Sequence, residues 1–222
     1  MLSMPPLLEC VDALPLKRIY LIAGPAASGK TTFATTLARH MRATLLSMDH
    51  YYLDEDVVVK EYDEKYGVMP QWESPDAYDV YRMREDIDAL LTTGSATIPS
   101  YSFVHSRREG YQDMCLDEDQ PLIIEGLYAI RFSGILSEEN DSMLKLYIHA
   151  ETEERRARSH IRDVVKRGKP LADFEKRYHF VDLGEKRWVL RQMHDADFVI
   201  ESTNEKRYGF FQRDSEVSHA EV

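Results

Sequence analysis

Residues 24–31 read Gly-Pro-Ala-Ala-Ser-Gly-Lys-Thr, and the residues on either side of them fix the local fold. Upstream, the apolar run Ile19-Tyr20-Leu21-Ile22-Ala23 predicts a buried strand. Downstream, Phe33, Leu37 and Met41 recur every four residues and mark one face of a helix starting near Gly29. A strand that turns through a glycine-bearing loop directly into a helix, with this spacing, matches the pattern G-x-x-x-x-G-K-[ST]. Its backbone N–H groups point inward at the positive end of the helix, an arrangement suited to a polyphosphate. Gly24, Ala26, Ala27, Ser28, Gly29, Lys30, Thr31 and Thr32 would form the cradle. Lys30 would reach the β- and γ-phosphates, and the Thr31 hydroxyl would hold a Mg²⁺. The expectation is a site for a nucleoside triphosphate, ATP with Mg²⁺.

The same strand–helix rhythm runs through the chain. Apolar runs at 18–23, 44–48, 121–125 and 143–149 alternate with helical patterns, and Asp197-Phe198-Val199-Ile200 follows near the end. Continuous apolar strands separated by helices predict an α/β fold, with a parallel sheet covered on both faces. Ser74-Pro75-Asp76 opens a helical segment carrying Val80, Met83, Ile87, Leu90 and Leu91, stopped by Gly94. Another helix begins at Thr152 and runs to about Lys166. A third extends from Leu171 toward His194, with a bend expected near Gly184. Between about 97 and 116, Thr97–Phe103 and Tyr111–Cys115 read as a β-hairpin annex. The segment from about 204 to 222 is polar and is expected to fray. At 222 residues, the chain is expected to form a single domain.

A formal net charge of −11 argues against general affinity for nucleic acid or an anionic membrane surface. Two cysteines, Cys10 and Cys115, fit a reducing compartment, and no apolar stretch approaches the length of a membrane span. The first 17 residues contain prolines and lack a basic start, unlike a secretory signal. A cytoplasmic enzyme is expected.

In open α/β sheets, ligands bind beyond the carboxyl ends of the strands. Two predicted strands end there in acids, Asp49 after Leu45–Met48 and Glu125 after Leu122–Ile124. Chemistry on a γ-phosphate needs one acid to hold Mg²⁺, assigned to Glu125, and one to accept the proton of an attacking hydroxyl, assigned to Asp49. Sequence does not fix the distances, so the two roles could be exchanged. Residues 155–169 carry seven basic side chains and one acid, with Arg158, Arg162 and Lys166 spaced for one helical face. Such a segment is either a solvated helix with pairs such as Glu154–Arg158, or a lid over the triphosphate that excludes water. Tyr51, Tyr52, Trp72, Tyr101, Phe103 and His105 lie outside the predicted strands of the sheet, around the candidate acceptor region. Aromatic faces stack on a planar base, His105 and Tyr101 could meet its edge, and Glu73 could accept from ribose hydroxyls.

These elements, in this order, resemble the uridine/cytidine kinases of the P-loop superfamily, a group that also includes phosphoribulokinase. The residues that carry the resemblance are the phosphate loop, Asp49-His50-Tyr51-Tyr52, Trp72-Glu73-Ser74-Pro75-Asp76-Ala77-Tyr78-Asp79, Pro99–Arg107, Glu125-Gly126 and Arg162–Gly168. The resemblance implies a five-stranded parallel sheet with a substrate-side hairpin and a mobile lid at about 155–170. It implies transfer of the ATP γ-phosphate to the 5′-hydroxyl of uridine or cytidine. Asp49 then matches the catalytic base, with Lys30, Arg162 and Arg167 about the transferred group and Arg158 beside the nucleotide. Tyr52, Trp72, Glu73, Tyr101, Phe103 and His105 match nucleoside-pocket positions, while Thr31 and Glu125 match the Mg²⁺ site. Lys169, where the family has Arg, and Arg177, where it has Gln, are also expected to meet the substrate; Ser159 stands where an Arg is expected, and one residue is missing between Phe103 and His105. The family analogy also implies a homo-oligomer. Two rival readings are a kinase for another small-molecule acceptor, such as a sugar phosphate or a pantothenate-like alcohol, and an ATP-binding regulator without catalysis. A GTPase switch is disfavoured, since no Asn-Lys-x-Asp element occurs.

Overall fold

A computed structural model describes residues 7–136, 140–166, 168–203 and 208–212. The elements in order are α1 (Leu7–Asp12), β1 (Ile19–Ala23), α2 (Lys30–Met41), β2 (Thr44–Ser47), β3 (Lys60–Asp63), β4 (Gly67–Pro70), α3 (Val80–Thr93), β5 (Ser95–Ser102) and β6 (Arg107–Cys115). They continue with β7 (Leu122–Glu125), β8 (Met143–His149), α4 (Thr152–His160), α5 (Leu171–Gly184), β9 (Phe198–Ser202) and β10 (Tyr208–Gln212).

The central sheet has the order β10-β9-β8-β1-β7-β2. Five of its strands are parallel, as the alternation of apolar runs and helices requires. The sixth, β10, pairs antiparallel with β9 through Tyr208↔Ser202 to Gln212↔Phe198. This edge strand falls where a fraying tail is expected from composition. Its pairing comes from β9 and from Tyr208, which is buried against Phe33.

Strand periodicity divides the core in two. On one face Tyr20, Ile22, Ile123 and Leu146 meet Phe33 and Leu37 of α2 and Cys10 and Val11 of α1. On the other, Ile19, Leu21, Leu122 and Ile124 meet Met83, Ile87 and Leu90 of α3, with Tyr128 and Val189. Helix α3 starts where expected: the Asp79 carboxylate accepts from Arg82 N at 3.1 Å, and Gly94 closes the helix in a left-handed conformation. The annex is a longer hairpin than its apolar residues suggest, with a turn only at 103–106.

The basic segment is not one regular helix. It is α-helical to His160 and then widens to a π-helix over Ile161–Lys166. The four-residue spacing of Arg158, Arg162 and Lys166 therefore does not keep them on one stripe. Helix α5 likewise changes at Gly184, with a π-helix over Glu185–Val189 and a 3₁₀ stretch over Leu190–Asp195. Gly184 sits where an added Cβ would lie 2.5 Å from the Glu73 Cβ, so the helix crosses the Glu73 segment there at close range. Helix α1 and the β3–β4 hairpin have no counterpart in the sequence reading, because neither shows a sustained apolar period. Among the described residues, no helix is long and apolar enough to cross a membrane.

Candidate active site

The loop after β1 approaches the neighbouring strand so closely that a Cβ on Gly24 (φ +150°) would lie 2.3 Å from the Ile148 carbonyl oxygen. Gly29, at φ +100°, turns the chain into α2. Between them Ala27 holds φ 59°, an uncommon conformation for a residue with a side chain. Helix α2 starts at Lys30, so its free N–H groups face the loop's concavity. Lys30 Nζ lies 3.4 Å from the Pro25 carbonyl oxygen, folded along the loop. The Ser28 hydroxyl is buried without a hydrogen-bond partner among the described residues. An orphaned hydroxyl inside an amide-lined turn fits a polyphosphate ligand.

Parallel register brings the two acids to one rim. Glu125 lies beside Ile22 of β1 and Ser47 of β2. Its carboxylate accepts from Thr31 Oγ1 at 3.1 Å and from Ser47 Oγ at 2.7 Å. Thr31 at the start of α2 and Glu125 at the end of β7 thus meet and present only oxygen, the donor chemistry that Mg²⁺ takes. Among the described residues no cluster of three or more His, Cys, Asp or Glu side chains is arranged around a metal. A single carboxylate with a hydroxyl suits an ion that keeps water and phosphate as its remaining ligands.

Asp49 follows β2 in a 3₁₀ turn whose N-cap is Ser47, with Asp49 N donating to Ser47 Oγ at 3.4 Å. Half-buried, it lines a cleft of about 460 Å³ together with Lys30, Thr31 and Thr32. Burial and then the Glu125 carboxylate push the Asp49 carboxyl up to about 6, against the pull of Lys30 and Arg162. Arg158 and Arg162 close one side of this cleft. Arg158 donates to the carbonyls of Ala27 and Ser28 at 3.3 and 3.2 Å, and also pairs with Glu154 at 3.1 Å. Arg162 pairs in two-point fashion with the buried carboxylate of Asp163. Arg167 lies outside the described residues. Ser159 is buried, and the adjacent Arg158 is the residue that donates to the loop carbonyls.

Beyond Asp49 the cleft continues into an aromatic compartment lined by Tyr52, Trp72, Tyr101, Phe103 and Arg177. Tyr52 is its hub, edge-on to Trp72 at 5.7 Å and stacked on Tyr78 at 4.3 Å. Tyr101 and Phe103, brought in by the annex, sit 5.3 Å apart. Glu73, only 5% exposed, and Arg177 line the cleft where the two compartments join. Burial pushes the Glu73 carboxyl up to about 7, and the nearby Arg177 guanidinium opposes that rise.

Two expected pocket residues stand apart from the cleft. His105 sits in the exposed annex turn, where its Nδ1 faces Glu109 Oε1 at 2.6 Å. The shortened stretch after Phe103 leaves it on the turn. Lys169 is exposed beyond the π-helix and does not line the cleft. Tyr51, grouped with the aromatics by sequence, is a core residue whose hydroxyl donates to Asp86. Four contributors escaped the sequence reading: Ser47, Tyr78, Arg155 and Glu185. Ser47 stands in the strand that leads to Asp49 and Tyr78 inside the Trp72–Asp79 motif, whereas the Arg155–Glu185 pair, 30 residues apart, has no local signal.

A model of the phosphoribulokinase/uridine kinase family matches residues 19–208. A uridine kinase of Halobacterium salinarum is 33% identical over 155 residues, covering 68% of this chain and 64% of that protein. A uridine kinase of Saccharomyces cerevisiae is 28% identical over 191 residues, covering 83% of this chain and 36% of that one. The chain thus spans less than two thirds of either relative. The solved structure of the YGR205w protein superposes with a TM-score of 0.62 at 14% identity, covering 94% of this chain and 93% of that chain, a likeness of fold alone.

Proposed function

The chain belongs to the phosphoribulokinase/uridine kinase family, and from that premise we propose that it is an ATP- and Mg²⁺-dependent kinase that phosphorylates the 5′-hydroxyl of a pyrimidine nucleoside. The observation that carries this reading is the shared cleft: Lys30, Thr31 and Asp49 line one space that opens directly into the aromatic compartment. The loop, Lys30 and Arg158 bind the triphosphate. Thr31 and Glu125 would hold Mg²⁺, which when bound would neutralise phosphate charge. Asp49, with its carboxyl raised by burial and Glu125, accepts the acceptor's hydroxyl proton and aims that oxygen at the γ-phosphorus. Arg162 spreads positive charge along the same cleft, and Arg167 is assigned there from the family pattern. Tyr52, Trp72, Tyr101 and Phe103 offer apolar faces to a planar base with Arg177 beside them, and Glu73, in the adjoining cleft, accepts from ribose hydroxyls. Closure of the basic segment over the cleft would exclude water, which otherwise competes for the γ-phosphate. One buried and one exposed cysteine, neither in a disulfide, accord with a reducing cytoplasmic setting.

The test is ADP release with a panel of acceptors: uridine, cytidine, ribulose 5-phosphate and a pantothenate-like alcohol. The expected outcome is turnover with the pyrimidine nucleosides, well above the others. Turnover confined to a sugar phosphate would overturn the acceptor assignment, and ADP release with none of them would overturn the enzymatic one.

A further inference from the structure

The phosphate loop is gripped from behind by Arg155 and Glu185, which do not line the cleft. Ala27 keeps its left-handed φ of 59° although it is not glycine. A strained conformation of this kind persists only where neighbours over-determine it. Here Glu185 Oε1 accepts from Ala26 N at 2.6 Å, and Arg155 Nη1 stands 3.5 Å from Ala26 O. Arg158 reaches the next two carbonyls, of Ala27 and Ser28. Arg155 and Glu185 also meet each other at 2.5 Å, and their side chains are 4% and 2% exposed. Arg155 is further fixed by donating to Ala150 O at 3.0 Å and Thr152 Oγ1 at 3.3 Å. Three separate segments therefore join at Ala26: the loop, helix α4 at the base of the basic segment, and the π-helix that follows α5. A buried ion pair is a poor stabiliser compared with well-packed apolar side chains, so simple stability is a weak account of it. Both of its members reach Ala26, the residue that precedes the strained position.

We propose that Arg155 and Glu185 are positioning residues that hold Ala26 and Ala27 in the shape that accepts the triphosphate, and that Arg155 gears the base of the lid to the loop. The proposal rests on the reading of this loop as the ATP site. With Ala26 N engaged by Glu185, the inner amides of the loop and Lys30 remain for the phosphates. The effect should appear in nucleotide affinity and should depend on the backbone preference of position 27.

The experiment is equilibrium binding of Mg·ATP by calorimetry, without any acceptor. Glu185→Ala is expected to weaken binding about tenfold or more, because a charge-assisted grip on the loop is lost. Ala27→Gly alone serves as the reference against which the double variant is compared. In the double variant glycine adopts the positive φ without strain, so most of the lost affinity should return. Unchanged binding in Glu185→Ala, or a double variant as weak as the single one, would overturn the proposal. If Glu185→Ala does not fold, Glu185→Gln retains an acceptor for Ala26 N without the charge. Its affinity should then fall less and again be restored by Ala27→Gly, and wild-type affinity in that variant would count against the pair. Because the readout is binding, a protein that takes Mg·ATP yet phosphorylates no nucleoside would sink the functional reading and leave this one standing. A wild-type chain that binds no Mg·ATP would end both.

Discussion

Replacing Asp49 by Asn should lower activity and raise stability together, and the burial of its carboxyl bounds the second effect. The carboxyl is pushed from 3.8 to about 6 by burial and by Glu125. A folded-state value above the unfolded one means that the protonated form contributes stability, complete below pH 3.8 and lost as pH rises through about 6. At pH 7.5 the folded protein therefore carries an ionised group that it disfavours by up to about 3 kcal/mol. Asparagine is neutral at every pH and nearly the same size. Asp49→Asn should stabilise the fold by about 1–3 kcal/mol, a rise in Tm of several degrees for a chain of this length. The gain should vanish as pH falls below about 4, where Asp49 is neutral too. As the proposed base, Asp49 should contribute on the order of 10²–10⁴ to turnover. The wild-type kcat/KM should rise with pH and reach half its plateau near pH 6, and the variant should show no such limb. Calorimetric melting at pH 7.5 and 4, with ADP-release kinetics across that range, measures all of this. A variant that turns over at the parental rate would refute the assignment of the base. One that melts lower than wild type at pH 7.5 would refute the electrostatic account.

Lys30→Ala should reduce turnover by about 10²–10³, since among the described residues no other lysine lines the cleft; unaltered kinetics would discredit the loop as the phosphate site. Trp72→Ala removes the edge contact to Tyr52, and the acceptor KM should rise about tenfold while that for ATP stays within about twofold, as bisubstrate kinetics would reveal. Gly126→Ala would set a Cβ 2.5 Å from the Met48 Cβ, next to Asp49. Overpacking there should destabilise the chain by about 1–3 kcal/mol, measurable by urea titration.

The central sheet could be read from sequence because each of its parallel strands is buried on both faces and so announces itself as an apolar run. Strand β8, expected at 143–149, spans Met143–His149. The phosphate loop was equally plain, since its spacing is imposed by local backbone geometry. Elements with weaker periods were not: β10 takes its form from pairing with β9, and the hairpin Lys60–Pro70 from the register between its own two strands. The π-widening after His160 also has no spacing signature, so the arginines expected on one face diverge.

What the sequence alone determined is the chemistry available, a loop built for phosphate, two acids at strand ends and a supply of aromatics and arginines, because these depend on residue type and short-range spacing. Only the tertiary structure decided which of them share a space. Strand order set Glu125 between Thr31 and Ser47, the annex carried Tyr101 and Phe103 to Tyr52 while leaving His105 outside, and burial drew Arg155 and Glu185 together behind Ala26. Those outcomes depend on long-range packing, in which partners distant along the chain compete for the same volume, and no local pattern encodes the result.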